Sequence, residues 1–170
     1  LDKLNTRTPR AELLALAVEA GRLGKKSKAD VIAFVKAADV LKVALGDDLG
    51  GDEAIRVVGK LTEQFQVAEK FGVSFEESLL KMGSAINEVS AAGSVQASYI
   101  VDYTQRLIGA STQAGIIVQD QVGYAAVLDE SGQKIESSAT AVSKVIIDMF
   151  KDTETYAEVA EMSIESFTKL

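Results

Sequence analysis

The chain has 170 residues, of which 47% are hydrophobic, and its 25 acidic and 18 basic side chains give a formal net charge of −7. This length suits one domain with a substantial core, and the acidic balance disfavours specific nucleic-acid binding, which needs clustered Lys and Arg. The absence of cysteine and histidine excludes disulfides, thiolate nucleophiles, serine triads and imidazole metal ligands.

The first predicted helix opens at Thr8, with a proline in the first helical position where its missing N–H costs nothing, and it runs toward Gly21. After a glycine corner, Ser27 and Asp30 form a capping box that starts helix two. Apolar residues at helical spacing predict the inner face of helix two: Val31, Phe34, Val35, Ala38, Leu41 and Leu45.

Gly46–Gly51 is the clearest predicted loop, and Asp52 is the expected cap of helix three. Helix three is predicted to run unbroken through Ala68 to the next corner. Its inner face is predicted from the residues Ile55, Val58, Leu61, Phe65 and Ala68.

The stretch Ala68–Val89 indicates a helix end, a glycine corner and a helix start. Gly72 suits the left-handed position that closes a helix, because it has no Cβ to clash there. Ser74 caps the next helix, and Glu77 completes a second capping box. The apolar face of this fourth helix is predicted to contain Phe75, Leu79, Met82, Ile86 and Val89.

A break at Ala91–Ser94 precedes three further predicted helices, near Gln96–Gly109, Gln119–Ser131 and Lys134–Lys151. The end of the chain is predicted to form two short helices with a break near Met162. The inner residues predicted for helices five and six are Ile100, Tyr103, Leu107, Val122, Ala125 and Leu128, and those for helix seven are Ile135, Ala139, Val142, Ile146 and Met149. The residues that we predict to be core on the two most regular apolar faces are Leu79, Met82, Ile86, Ile135, Val142 and Ile146.

These elements favour an all-α fold, a compact multi-helix domain of helical hairpins with about six to eight helices. We expect residues 1–7 to be a frayed end, residues 8–152 a helical core domain, and residues 153–170 short helices that lead into the rest of a longer protein. The longer protein is expected because the chain begins at Leu1 without a methionine. No apolar run reaches the roughly 18 residues of a membrane helix, and no basic-then-apolar leader is visible.

Helix corners recur about every 45 residues, around Gly24, Gly72, Gly115 and Met162. This recurrence is typical of paired-helix repeat proteins. It also fits any all-α domain, which needs such corners after every helix or two. Both interpretations stay open.

The motifs that could carry chemistry are all weak. Gly24–Ser27 resembles the end of a phosphate-binding loop, but Glu19 replaces the upstream glycine, Lys26 displaces the Ser/Thr, and a helix rather than a strand precedes it. Two Ser-x-x-Lys spacings lack the companion motifs of penicillin-recognising enzymes. These pairs are Ser78/Lys81 and Ser166/Lys169.

An acidic group at Asp47, Asp48, Asp52 and Glu53 does not have the spacing of an EF-hand loop, so a turn and a helix cap explain it better than calcium binding. Three tyrosines near helical spacing are expected at the edge of the core: Tyr99, Tyr103 and Tyr124. We therefore predict no catalytic, cofactor-binding or metal-binding residues, no cofactor and no enzyme activity.

Several segments, taken in order, resemble the core region of phage tail tape measure proteins of the TP901 type. Each segment is a helix pattern rather than a catalytic fingerprint, and together they span most of the chain from about Leu13 onward. The segments are 29–39 with 44–51, Lys81–Glu88, Tyr99–Leu107 with Gln113–Ile116, and Ala125–Gly132 with Ala139–Met149. Val118 departs from the pattern, because the family often has a capping Ser or Thr there.

The resemblance implies a non-enzymatic, prophage-encoded virion component that sets tail length during tail assembly. It implies that the partners are tail tube and tail assembly chaperone proteins and further copies of the full-length protein. It also implies that the protein is in the bacterial host cytoplasm during assembly and then in the lumen of the tail. The alternative from another class is a helical-repeat adaptor domain that binds proteins in a cell.

Overall fold

The computed structural model describes residues 5–163 and residue 165, and this part of the chain is mostly helical with short connections. Eight of the nine helices in these residues contain at least seven residues, and no strand occurs among them, so the predicted all-α multi-helix fold is confirmed. The helices are α1 Arg10–Arg22, α2 Lys28–Leu45, α3 Asp52–Gln64, α4 Val67–Phe71, α5 Phe75–Ala92, α6 Ala97–Gln113, α7 Val118–Glu130, α8 Ile135–Lys151 and α9 Thr153–Val159. A 3-10 turn, Gly46–Leu49, joins α2 to α3.

Two helix groups form the domain, and α3 and α5 connect them. In the first group α2 packs against α1 and α5, while in the second α6 packs against α3, α7 and α8. Helix α5 also contacts α3, α6 and α7, so it lies near the centre of the packing. Helix α8 packs mainly on α6 and α9, which places it at the edge of the domain.

The core contains most of the residues that the helical spacing selects. Leu79, Met82 and Ile86 of α5 and Ile146 of α8 are buried as predicted. The prediction is wrong for Ile135, which is only partly buried, whereas Val142 is partly buried and packs against the core. The reason is the edge position of α8, which turns only a narrow side of the helix toward α6.

Helix three does not continue through Ala68 as predicted. It ends at Gln64, and Gln66 has left-handed backbone angles of φ 53° and ψ 40° that redirect the chain into α4. Phe65 and Val67 are both buried. A continuous helix would turn these two side chains about 200° apart, so the break is what lets both enter the core.

Local cap predictions are confirmed where they rest on serine. The Oγ atoms of Ser27 and Ser74 accept hydrogen bonds from the N–H groups of Asp30 and Glu77, at 3.1 and 3.2 Å. Asp52 is not the cap of α3, because Gly51 occupies that position and the Asp52 carboxylate pairs with a lysine instead.

Two boundaries differ from the prediction at the ends of other helices. Pro9 is the cap that precedes α1 rather than its first residue. Helix α6 extends to Gln113, one turn beyond the predicted end at Gly109.

Five corners share one backbone pattern, in which the residue after a left-handed position donates its N–H to the carbonyl five residues earlier. Ile116 N–H, for example, donates to Ser111 O at 2.9 Å. This is the Schellman closure of a helix. The left-handed residues are Gly24, Gly72, Gly115, Gly132 and Glu161. The corner at Gly132 lies between the predicted helices six and seven, and it interrupts the spacing of about 45 residues.

The ends of the chain are covered only in part. The predicted break near Met162 is present after α9. The predicted frayed end includes residues 1–4, and the last predicted short helix includes residues 164 and 166–170, which lie outside the described residues.

Candidate interaction surface

The basic corner that resembles a phosphate-binding loop has a structural role. Lys25 ion-pairs with Glu63 of α3, and its Nζ lies 3.7 Å from the ring centroid of Phe75 on α5. Ser27 caps α2. The corner therefore attaches the start of α2 to α3 and α5, and its hydroxyl and one of its lysines already have partners within the domain.

The acidic group around the 3-10 turn is divided among separate partners. Asp48 Oδ2 accepts hydrogen bonds from the backbone N–H of Ala97 at 2.9 Å and from Ser90 Oγ at 3.0 Å. Asp52 pairs with Lys42 at 2.9 Å. Asp48 therefore caps α6, whereas Asp52 connects α3 to α2. Among the described residues there is no group of three or more acidic side chains that could hold a metal ion.

The remaining candidate side chains do not converge on one site. Ser78 is buried and its hydroxyl donates to Phe75 O at 2.8 Å, while Lys81 lies 3.7 Å from Glu77. Tyr99 OH donates to Gln133 O at 2.9 Å, at the corner between α7 and α8. The pair Ser166/Lys169 lies outside the described residues.

Tyr103 is fully buried on α6, and its hydroxyl has no hydrogen-bond partner among the described residues. Burial raises the pKa of Tyr103 to about 12, with a smaller contribution from Tyr99 and Tyr124. Tyr124 is largely exposed on α7. The three tyrosines therefore do not line a common ligand pocket.

Ion pairs fasten the first three helices to one another. Glu19 of α1 lies 3.0 Å from Arg56 of α3, and Lys42 of α2 lies 3.0 Å from Glu12 of α1. Hydrogen bonds to Asp52 first, and to Glu12 second, raise the pKa of Lys42. These charged side chains are paired with one another within the domain, so they do not indicate a binding site for another molecule.

The surface carries a set of large apolar side chains that nothing in the described chain covers. Scattered single apolar residues are normal on a protein surface, so only a continuous group indicates a binding site. The exposed side chains are Leu14 and Val18 on α1, Val40 and Val43 on α2, Phe71 on α4, Ile117 before α7, Tyr124 and Val127 on α7, Val145, Ile147 and Phe150 on α8, and Val159 on α9.

Helix α8 carries three of these side chains, Val145, Ile147 and Phe150. Each of the five predicted inner residues of this helix, from Ile135 to Met149, is followed in the sequence by a residue that points about 100° away around the helix axis. These following residues form a second stripe at the same i, i+4, i+7, i+11 and i+14 spacing. We name this stripe the α8 outer face, and it consists of Glu136, Thr140, Ser143, Ile147 and Phe150.

Four of the five residues of the α8 outer face are exposed, Ser143 is half-buried, and the face lies beside a groove. Ile147 is 38% exposed and Phe150 is 59% exposed. An open groove of about 640 Å³ runs between this side of α8 and Arg106 of α6. Its lining includes Ser143 and Ile147, but four of its eight lining residues are charged.

Charged side chains of both signs surround the groove. Glu136 lies in the first turn of α8, 3.6 Å from Arg106, while Lys151 is its last residue. In the middle, Lys144 and Asp148 form an i, i+4 ion pair, and this hydrogen bond raises the pKa of Lys144 and lowers that of Asp148. Charges of both signs therefore occur at each end of α8, because Arg106 and Lys134 lie near Glu136 and Asp152 follows Lys151.

Sequence reasoning missed this surface because it assigned one apolar face to the helix. Ile147 and Phe150 lie outside that face, and these two apolar residues were the feature of the sequence that could have revealed the second stripe. When apolar residues lie on two adjacent stripes, the apolar surface of the helix is broader, and a single neighbouring helix leaves part of it exposed.

A family model described as phage-related minor tail protein matches residues 1–169. No curated protein and no solved structure matches the chain. In the part of the chain that the structure describes, the helices fall short of the length and apolarity that crossing a membrane requires.

Proposed function

The chain belongs to the phage-related minor tail protein family, and from this premise we propose that it is a segment of a prophage-encoded tape measure protein. In this role it takes part in tail length determination and tail assembly as a structural component of the virion. The single observation that carries the proposal is the family match over almost the whole chain.

The structure supports a binding role rather than catalysis. Three residues that sequence motifs point to have structural roles. Ser78 bonds within helix α5, Asp48 caps α6, and Tyr103 lies in the core. We propose that the protein is not an enzyme and that its partners are tail tube proteins, tail assembly chaperones and other copies of itself. In this proposal it is in the host cytoplasm during assembly and then in the tail lumen.

The five helix corners indicate whether the chain is compact or extended before tail assembly. A ruler that is one extended helix has no use for Schellman closures, yet five are present among the described residues. We therefore expect a compact folded domain in isolation. An extended state in the tail requires the corners to open and the inner faces of α5 and α8 to repack.

The proposal is tested by removing residues 1–170 in frame from the full-length protein in the phage and measuring tails by electron microscopy. A fully helical chain of this length spans on the order of 250 Å, so an extended ruler predicts tails shorter by about that amount. The control replaces the segment with an unrelated helical segment of equal length, which should restore the tail length.

Two other results have defined meanings. Normal tails of unchanged length would show that this segment does not measure the tail. Failure of tails to assemble with both the deletion and the replacement would show that the segment docks a specific partner. The helical-repeat adaptor alternative predicts normal tails in every case and binding to a cellular protein instead.

A further inference from the structure

Buried polar atoms that lack a hydrogen-bond partner are concentrated on α6 and α7. Outside the Glu19–Arg56 ion pair, all such side-chain atoms in the described part of the chain belong to these two helices. On α7 they are both polar atoms of the Gln121 amide, and Gln121 is completely buried. A buried amide without partners loses its hydrogen bonds to water and gains none in return, so its burial opposes the folded arrangement. The atoms on α6 are the hydroxyls of Tyr103, Thr104 and Ser111.

Helix α7 is also weakly attached to its neighbours. Ion pairs join α1, α2 and α3, and Asp48 caps α6, whereas no ion pair among the described residues includes a side chain of α7. The residue that caps α7, Ile117, makes no side-chain hydrogen bond to it. The apolar residues that α7 buries are two valines and an alanine, while α5 buries a leucine, a methionine and an isoleucine. Smaller side chains bury less apolar area, so the packing of α7 stabilises it less.

The backbone of α7 adds a third source of weakness. Gly123 lies in the middle of the helix, and a Cβ added there would meet nothing within 4 Å among the described residues. Packing therefore does not require glycine at this position, and glycine lowers helix stability relative to alanine. Left-handed glycines also stand at both ends of α7, with φ of 70° at Gly115 and 69° at Gly132. These corners separate the helical hydrogen bonds of α7 from those of α6 and α8.

We propose that α7 is the segment of the domain that opens first: it separates from α5 and α6 between the Gly115 and Gly132 corners while α2 and α5 stay folded. Opening returns the Gln121 amide to water, which offsets part of the apolar contact that is lost. Elements with few buried apolar contacts are the ones that open locally in folded proteins. The inference deepens the proposed function, on which its biological setting rests, because a chain that changes from compact to extended would begin at these two corners.

The absence of native cysteine allows a direct test in the 170-residue chain. Val122→Cys places a thiol on the buried side of α7, and Val35→Cys places one on the buried side of α2. Labelling by a soluble disulfide reagent then reports how often each helix opens. Each rate is divided by the rate of the same variant unfolded in denaturant, which removes differences in thiol reactivity. Under native conditions Val122→Cys should react at least about tenfold faster than Val35→Cys.

Two further variants connect the opening to the features of α7. In the Val122→Cys chain, Gln121→Met keeps the length of the side chain and removes the unpartnered amide, so labelling should slow about tenfold. Gly123→Ala should slow it about threefold. The matched control is Gln119→Met, the same substitution at an exposed position of α7, which should change the rate less than about twofold.

A variant on α2 distinguishes local opening from complete unfolding. Ala38→Gly removes a fully buried methyl group and weakens α2. It should raise the labelling of Val35→Cys at least about fivefold and leave that of Val122→Cys unchanged, because α2 stays folded when α7 opens. Circular dichroism checks that each variant is folded.

Three results would overturn the inference: equal labelling of the two thiols, faster labelling of Val122→Cys with Gln121→Met, or an equal rise at both thiols with Ala38→Gly. All three are measured on the free chain and do not depend on tail length. Failure of the α7 opening is therefore distinguishable from failure of the proposed function.

Discussion

Gly83 of α5 lies directly against Leu41 of α2, so closely that a Cβ on Gly83 would be 2.6 Å from Leu41 Cγ. Real Cβ atoms do not approach other atoms at that distance, so glycine sets how closely the two helices pack. This contact lies within the first helix group, where α5 packs against α2.

We predict that Gly83→Ala destabilises the domain by about 1–3 kcal/mol, because the added methyl forces α2 and α5 apart. Denaturant unfolding measures the change. The control is Gly109→Ala on α6, where a Cβ has nothing within 4 Å. That substitution should stabilise the helix by about 0.5–1 kcal/mol. Equal effects at the two positions would show that the α2–α5 contact is not tight.

We predict that Asp48→Ala costs about 1–2 kcal/mol, because it removes the carboxylate that caps α6 at Ala97. Asp47→Ala, at the exposed neighbouring position, should change the free energy of unfolding by less than about 0.5 kcal/mol. Titration calorimetry with calcium should show no stoichiometric site in the wild-type chain. A stoichiometric site lost with Asp48→Ala would contradict the structural role of this residue.

We predict that Gln66→Gly raises stability by about 0.5–1 kcal/mol, because a left-handed backbone is strained for glutamine and not for glycine. Lys60→Gly, in the exposed middle of α3, should instead cost about 1 kcal/mol. Thermal unfolding of both variants gives the comparison. Loss of stability in Gln66→Gly would indicate that α3 and α4 form one helix in solution.

We predict that Tyr103 makes the fold sensitive to alkaline pH. Because its pKa is raised from 10.0 to about 12 in the folded chain, the stabilisation is complete below pH 10 and is lost as pH rises through about 12. The free energy of unfolding should fall by about 2 kcal/mol relative to Tyr103→Phe over that interval.

At neutral pH the same variant should be as stable as wild type or slightly more stable, since the buried hydroxyl has no described partner. Tyr124→Phe is the matched control at an exposed position and should keep the alkaline sensitivity. Parallel pH profiles for wild type and Tyr103→Phe would rule out ionisation of this residue as the cause.

The predictable part of the fold is local. Ser27 and Ser74 act on N–H groups three residues away, so their caps are visible in the sequence. Gly72 closes a helix for the same local reason. The periodic apolar faces identify α5 because this helix is covered by neighbours on several sides.

The rest depends on contacts between distant residues. Gln66 breaks a helix because Phe65 and Val67 both find places in the core, and no local pattern shows that. Asp48 reads as a turn residue because its partner Ala97 is on another helix. The α8 outer face is visible only once it is known that α6 covers one narrow side of α8.

The cap that Asp48 provides also has a consequence for the order of folding. Its carboxylate and the Ala97 N–H are 49 residues apart, so this bond forms only after a long loop has closed. During synthesis Asp48 leaves the ribosome well before Ala97, so this hydrogen bond cannot form until the later residue has emerged. Removing the carboxylate should therefore speed unfolding while leaving the folding rate almost unchanged, a low φ-value that stopped-flow kinetics can measure.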